Sequence, residues 1–118
     1  PRLTILQGLG VLRDADSRDA FRDATKDKHL EIRLAGLWGL MRIASGEDVD
    51  LFLSQSAKES GWGRIKATAY CLELAENLEA KGENKGAQAI YLSIKKTRTA
   101  TNEEHLRDSA DRGLARLK

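Results

Sequence analysis

Apolar side chains recur along this chain at intervals of three and four residues. That spacing places them on one face of an α-helix. The clearest stripe is Ala87, Ile90, Tyr91 and Ile94. No stretch alternates apolar and polar residues as a half-buried strand does. The pattern therefore predicts an all-α chain built from helical hairpins with short connections.

Seven helices are predicted from these stripes and from residues that favour helix ends. They are a helix over 2–13, a short one carrying Phe21, one that ends near Ala44, one carrying Val49 and Phe52, one over 64–79, one around Ile90, and one that ends near the C-terminus. Ser45 with Asp48 and Thr101 with Glu104 have the spacing of capping boxes. Gly82 is typical of a C-terminal cap. Ser60-Gly61-Trp62-Gly63 is interpreted as a loop in which Trp62 seals the junction between repeats.

The same helix pattern is written several times in the chain. Residues 1–12 align with 32–43 after a shift that superposes Arg2 on Arg33 and Gly8 on Gly39, and the register returns at Arg64 and Arg107. A fixed period of a few tens of residues, with units too small to bury their own apolar faces, is typical of a stacked-repeat solenoid.

The repeats divide a single predicted domain, 1–118, into four parts. These are an orphan second helix (1–13), a repeat over 14–44, a repeat over 45–79 and an atypical unit over 80–118 with the character of a cap. The chain starts with Pro1 and with the second helix of a pair, so we interpret it as a segment of a longer protein. Glycine inside a helix costs about 1 kcal/mol relative to alanine. Its return at Gly39 and Gly113 therefore predicts close approach of a neighbouring helix.

The unit from Phe21 to Ala44 resembles the HEAT-repeat family, in which a loop Asp precedes a second helix that begins Val-Arg and continues with small residues and Leu. The matching residues are Asp27, Ile32, Arg33, Gly36, Leu37, Leu40, Ile43 and Ala44. The resemblance is weaker elsewhere, since Gly63 stands where Ile32 does. It implies a right-handed α-solenoid of about three and a half HEAT-like hairpins, in which Asp27 and Arg33 form an inter-helix pair that joins successive repeats.

Charge and composition add few functional indications. Twenty Lys and Arg against eighteen Asp and Glu leave a net charge of +2, too near neutral to indicate nucleic acid by itself. The most basic stretch, 81–98, is interpreted as a solvated face or, less commonly, a docking patch for an acidic partner. No apolar run has the length of a membrane helix. Nothing in the sequence indicates a compartment.

No catalytic, metal or cofactor motif is apparent. Cys71 is a single cysteine, which excludes an intramolecular disulfide, and its register holds Leu in the other repeats, so we expect it to be buried and inert. His29 and His105 are expected on the surface of different layers, where they cannot share a metal. We therefore expect no enzymatic activity and no cofactor.

The second helices of HEAT solenoids line the concave surface, so the resemblance implies a continuous strip of inward side chains. The candidates for this binding strip are Trp38, Arg42, Lys66, Glu73, Arg112 and Arg116. Trp and Arg are the residues most enriched at binding hot spots. An equally weighted alternative is that Trp38 packs between repeats as part of the core.

The predicted function is a non-catalytic scaffold that binds a protein partner, whose identity the sequence does not give. An alternative is a nucleic-acid-binding module, as in HEAT-like DNA glycosylases, that uses Arg42, Lys66, Arg112 and Arg116. Glu73 on the same strip and the small net charge weigh against phosphate binding. A third class, similar to the HEAT-like repeats of phycobilin lyases, ranks last because no cysteine lies outside the predicted core.

Overall fold

A computed structural model describes residues 17–118 of the chain. This part forms six α-helices and no strand. The helices are α1 (Arg18–Ala24), α2 (Leu30–Ile43), α3 (Val49–Lys58), α4 (Gly61–Ala80), α5 (Asn84–Thr97) and α6 (Glu104–Arg116). Two 3-10 turns, Gly46–Asp48 and Thr101–Glu103, lead into α3 and α6. The all-α prediction is confirmed over these residues, and the helix predicted over 2–13 lies outside them.

The helices associate as three hairpins, α1 with α2, α3 with α4 and α5 with α6. The second helices α2 and α4 pack directly on one another, and α5 also packs on α4. Residues 17–118 together measure 40 × 32 × 18 Å along their principal axes. The middle hairpin thus lies between the other two and contacts both.

Each hairpin places one large aromatic side chain of its first helix in the core. Phe21 of α1, Phe52 of α3 and Tyr91 of α5 are at most 1% exposed. Gly39 lies under the ring of Phe21, and Gly113 lies under the ring of Tyr91. A methyl group added to either glycine would come within 2.4 Å of the ring. The close helix approach predicted from these two glycines is therefore confirmed.

The start of α4 differs from the prediction. The helix begins at Gly61, so Gly61-Trp62-Gly63 is its first turn rather than a loop. Ser60 is extended and Gly61 has a φ of +55°, a left-handed conformation that glycine adopts without steric cost. The chain turns at these two residues, and α4 begins there without an intervening loop. Trp62 is 59% exposed, so the prediction that it seals a repeat junction is wrong.

The helix ends agree with the predicted caps only in part. Gly82, with a φ of +80°, follows α4 as expected. The Ser45 hydroxyl accepts a bond from the Glu47 amide at 3.2 Å. No side-chain cap bond forms at the start of the Thr101–Glu103 turn or of α6, so the capping box predicted there is wrong. The carboxylate of Glu103 binds arginine side chains instead.

Candidate interaction surface

The repeated arginine at the start of each second helix connects neighbouring hairpins. Arg33 of α2 donates from Nε and Nη2 to the two carboxylate oxygens of Glu59, at 2.7 and 3.1 Å. Glu59 belongs to the next hairpin and lies just before α4. The guanidinium holds the pKa of Glu59 below its ordinary value because it stabilises the carboxylate. The third donor, Nη1, bonds to the backbone carbonyl of Asp27 at 3.0 Å.

Arg64 of α4 repeats this arrangement one hairpin further on. Its Nε and Nη2 donate to Glu103 at 3.0 and 3.2 Å, and its Nη1 donates to the carbonyl of Ala57 at 3.1 Å. Arg107 of α6 donates from Nη1 to the carbonyls of Arg98 and Ala100. Arg33 and Arg107 thus bond the loop of their own hairpin, and Arg64 bonds the last turn of α3. Arg33 and Arg64 also bind a carboxylate of the hairpin that follows.

The expected pair between Arg33 and Asp27 is found in a different form. The contact uses the Asp27 carbonyl, whereas the carboxylate accepts from the amide of His29 at 2.8 Å and lies 3.0 Å from Nδ1 of the same residue. Glu59 is the acidic partner of Arg33 instead, because Nε and Nη2 of the guanidinium face the next hairpin. The acid that joins two hairpins therefore lies in the loop of the second one.

The helices α2 and α4 run parallel, since bonds connect their amino-terminal ends to each other and their carboxyl-terminal ends to each other. Arg33 and Glu59 join their amino-terminal ends. At the other ends, Asn77 donates to the carbonyl of Met41 at 2.9 Å, and Lys81 donates to the carbonyl of Ala44 at 2.8 Å. A shallow groove lies along the line where the two helices meet.

This groove, which we call the aromatic groove, has a volume of about 310 Å³. Its lining residues are Glu31, Leu34, Ala35, Trp38, Trp62, Lys66 and Tyr70. Trp38 is half-buried and packs against the core with part of its ring. The guanidinium of Arg42 lies over the Trp38 ring, 5.2 Å from its centroid. One interpretation of the sequence placed Trp38 in the core and the other placed it on a binding surface. Its ring does both, since it packs against the core and lines the groove.

The aromatic groove is lined by the three aromatic side chains that are not fully buried. The chain has two Trp, two Tyr and two Phe. Phe21, Phe52 and Tyr91 are buried, and the remaining three, Trp38, Trp62 and Tyr70, all line the groove. Sequence reasoning did not assign Trp62 or Tyr70 to this surface. Their spacing with Lys66, at i, i+4 and i+8 on one helix, is the signal that could have placed them there.

A second groove separates α4 from α6 and has a volume of about 700 Å³. We call it the α4–α6 groove; Ile65, 67% exposed, and Leu106 lie in its wall. Arg64 and its partner Glu103 also line it, and the Arg116–Glu79 pair joins the same two helices nearer their carboxyl-terminal ends. His105 also lines it, in a different hairpin from His29.

The residues of the predicted strip have unequal surroundings. Lys66 lies over the ring of Tyr70, 5.5 Å from its centroid, and Glu73 is exposed. Arg112 is exposed and donates to the Ser109 hydroxyl at 3.0 Å. Arg116 is different, because both Nε and Nη2 donate to Glu79 at 3.1 Å. That side chain joins α6 to α4.

Two further groups bear on possible chemistry. Cys71 is fully buried, and burial raises its pKa to about 12. Arg98, the last residue of the basic stretch 81–98, is 3% exposed and donates to Ser56, Thr68 and Glu103, so it belongs to neither a solvated face nor a docking patch. Over residues 17–118, no three His, Cys, Asp or Glu side chains form a cluster that could hold a metal ion.

Within residues 17–118, no helix is both long enough and apolar enough to cross a bilayer. Comparison with protein-family models, curated proteins and solved structures finds no match to this chain.

Proposed function

We propose that this chain is a non-catalytic protein-interaction module whose partner binds along the second helices α2, α4 and α6. The observation that carries this proposal is the position of Trp38, Trp62 and Tyr70, which line one groove on that side of the molecule. Large apolar rings beside charged side chains are the usual composition of a binding hot spot. An exposed Trp such as Trp62 contributes nothing to the core, so a binding role gives a reason for its position.

The finer architecture that we propose is a right-handed solenoid of the HEAT type. Support comes from the recurrence of one bonding scheme at Arg33 and Arg64, each of which binds the acid of the next loop. Support also comes from the equivalent placement of Phe21 over Gly39 and Tyr91 over Gly113. Repeats stacked in this way present an extended surface of second helices, which is where repeat proteins bind their partners.

Nucleic-acid binding through the same helices is less well supported. Duplex binding depends on several Lys and Arg side chains that are available to neutralise phosphates. Of the four candidate cations, Arg116 already makes a bidentate pair with Glu79. Glu31 and Glu73 on α2 and α4 add negative charge to the same side of the molecule.

The proposal is tested by selecting peptides from a displayed library of unbiased composition with the wild-type chain as bait. We expect selected peptides to lose about tenfold or more in affinity for Trp38→Ala and for Arg42→Ala. Leu92→Ala is the matched control, because Leu92 is 49% exposed on α5, a first helix. It should leave affinity unchanged.

Two results would contradict the proposal. One is a selection that yields no binder, or binders whose affinity is the same for Trp38→Ala and the wild type. The other is binding of duplex DNA or RNA oligonucleotides with a steep salt dependence, which would favour the nucleic-acid function instead. Thermal melting of each variant separates lost binding from lost folding, since part of Trp38 contacts the core.

A further inference from the structure

We propose that the aromatic groove binds a proline-rich segment of a partner protein in the polyproline II conformation. The inference rests on the proposed function and names the class of partner that this part of the surface recognises. It follows from four properties of the groove: its rings, its hydrogen-bond donors, its size and its charges.

The rings supply flat apolar surfaces. Trp38, Trp62 and Tyr70 line the groove together with the aliphatic residues Leu34 and Ala35. Polyproline II ligands dock in aromatic-lined grooves, because the pyrrolidine rings pack on aromatic faces and the ligand is already ordered before binding. The chain has only two Trp residues, and both line this groove.

The same three side chains supply hydrogen-bond donors. The indole N–H groups of Trp38 and Trp62 and the hydroxyl of Tyr70 are bonded to no other group of residues 17–118. A polyproline II segment has no internal hydrogen bonds, and its proline residues carry carbonyl acceptors without an N–H. Indole N–H is a donor only. Donor-rich aromatic side chains therefore match a ligand that offers mainly acceptors.

The size of the groove favours an extended segment over a helix. Its volume of about 310 Å³ is at the lower end of the range for ligand pockets. An α-helix with its side chains is about 10–12 Å across. A helix would cover the groove without entering it, whereas an extended segment can insert its side chains one at a time.

The charges of the groove disfavour a cationic ligand and set the direction in which a proline-rich segment would bind. Arg42 and Lys66 lie over the rings of Trp38 and Tyr70, so a cationic ligand would be repelled from these rings. Glu31, in the first turn of α2, is the acidic group of the lining, and Lys66 is the basic one. Charge complementarity thus calls for a basic residue of the ligand beside Glu31 and an acidic residue beside Lys66.

The test uses fluorescein-labelled proline-rich peptides with a basic residue at one end and an acidic residue at the other, in both chain directions. Binding is measured by fluorescence anisotropy and by the intrinsic tryptophan emission. We expect one direction to bind, and a control peptide with glycine in place of every proline to bind about tenfold more weakly or worse. Trp62→Ala should weaken binding by a similar factor.

Ile65→Ala is the matched control for Trp62→Ala. Ile65 is 67% exposed and lies on the same helix, but it lines the α4–α6 groove. It should leave binding unchanged. Glu31→Lys should weaken the peptide with one basic and one acidic end, and should strengthen a peptide with two acidic ends. Equal binding of the proline and glycine peptides, or equal losses for Ile65→Ala and Trp62→Ala, would overturn the inference.

The outcomes separate this inference from the proposed function. If the displayed library yields peptides that need Trp38 but contain no proline, and the proline-rich peptides do not bind, the ligand class is wrong and the interaction function stands. If no peptide of either kind binds, both proposals fail.

Discussion

Among single residues, the aromatic side chains and the glycines show how the hairpins are held. Phe21 and Tyr91 are each placed over a glycine of the second helix in their own hairpin. The glycines are required by this contact and not by backbone conformation, since both lie inside helices. The usual rule that alanine stabilises a helix relative to glycine is therefore reversed at these positions.

We predict that Gly39→Ala lowers the free energy of unfolding by about 1–3 kcal/mol, because the added methyl overlaps the Phe21 ring. In an unobstructed helix the same change would stabilise by about 1 kcal/mol. Gly86→Ala is the control, since the nearest atom to its added methyl is Cδ1 of Leu78 at 3.1 Å rather than an aromatic ring at 2.4 Å. Urea denaturation of both variants measures the difference. A Gly39→Ala protein as stable as the wild type would show that the ring can move aside.

Cys71 gives a second prediction at this scale. The side chain is fully buried, and its pKa is raised to about 12, so the reactive thiolate is nearly absent near neutral pH. We expect a thiol reagent to label the folded protein slowly and the urea-unfolded protein rapidly. Labelling of the folded protein at the rate of a free cysteine would mean that the core around Cys71 opens readily.

Between elements, ion pairs join one hairpin to the next. Glu59 and Glu103 each receive two bonds from an arginine of the preceding second helix. Glu79 receives two from Arg116. In all three cases the arginine lowers the pKa of the carboxyl group. These acids therefore link stability to pH.

We expect the melting temperature to fall as the pH drops from about 5 towards 3. The folded carboxyl groups have pKa values below the ordinary Glu value of about 4.3, so the unfolded chain binds more protons in this range. The stabilisation is present above the unfolded pKa and is lost as the pH falls through the folded one. The double variant Glu59→Gln, Glu103→Gln should be less stable at neutral pH.

The control for this pH dependence is Glu104→Gln, which changes an exposed neighbour of Glu103. Its curve of melting temperature against pH should follow that of the wild type, whereas the curve of the double variant should be flatter. Parallel curves for all three proteins would show that the interhairpin pairs do not control acid stability.

Across the whole molecule, one buried side chain connects all the elements of the last two hairpins. Arg98 ends α5 and donates to Ser56 of α3, Thr68 of α4 and Glu103 before α6, at 2.8–3.2 Å. It is 3% exposed, and burial lowers its pKa. A buried guanidinium is tolerated because its partners satisfy it.

We predict that Arg98→Met destabilises the protein by about 3 kcal/mol, because the buried hydroxyls of Ser56 and Thr68 lose the donor that they share and Glu103 loses one of its bonds. Lys96→Met, two residues away and exposed, should change stability by less than about 0.5 kcal/mol. Urea unfolding monitored by circular dichroism measures both. A loss no larger for Arg98→Met than for Lys96→Met would show that the bonds of Arg98 do not stabilise the last hairpin.

The sequence by itself determined which segments are helical and which faces are apolar. Helix periodicity is a local property, so the stripe containing Ile90, Tyr91 and Ile94 was enough to place α5, and the shared register of Gly39 and Gly113 was enough to predict close packing. The local pattern gave a wrong helix start at Gly61, because a glycine can lie either in a loop or at the start of a helix. Gly61 begins α4 instead of forming a loop. Trp62 therefore lies in the first turn of a helix and is exposed, and it does not seal a repeat junction.

Only the tertiary structure decided which charged groups meet and which aromatic side chains share a surface. The carboxylate of Asp27 is near Arg33 in the sequence. The guanidinium nevertheless binds the carboxylate of Glu59, because the packing of the next hairpin places that acid beside it. Trp38 and Trp62 come together because α2 and α4 lie parallel and in contact. Such pairings depend on the relative placement of two helices. The spacing of residues within α4 could place Trp62 and Tyr70 on one face of that helix, but it could not place them beside Trp38 of α2.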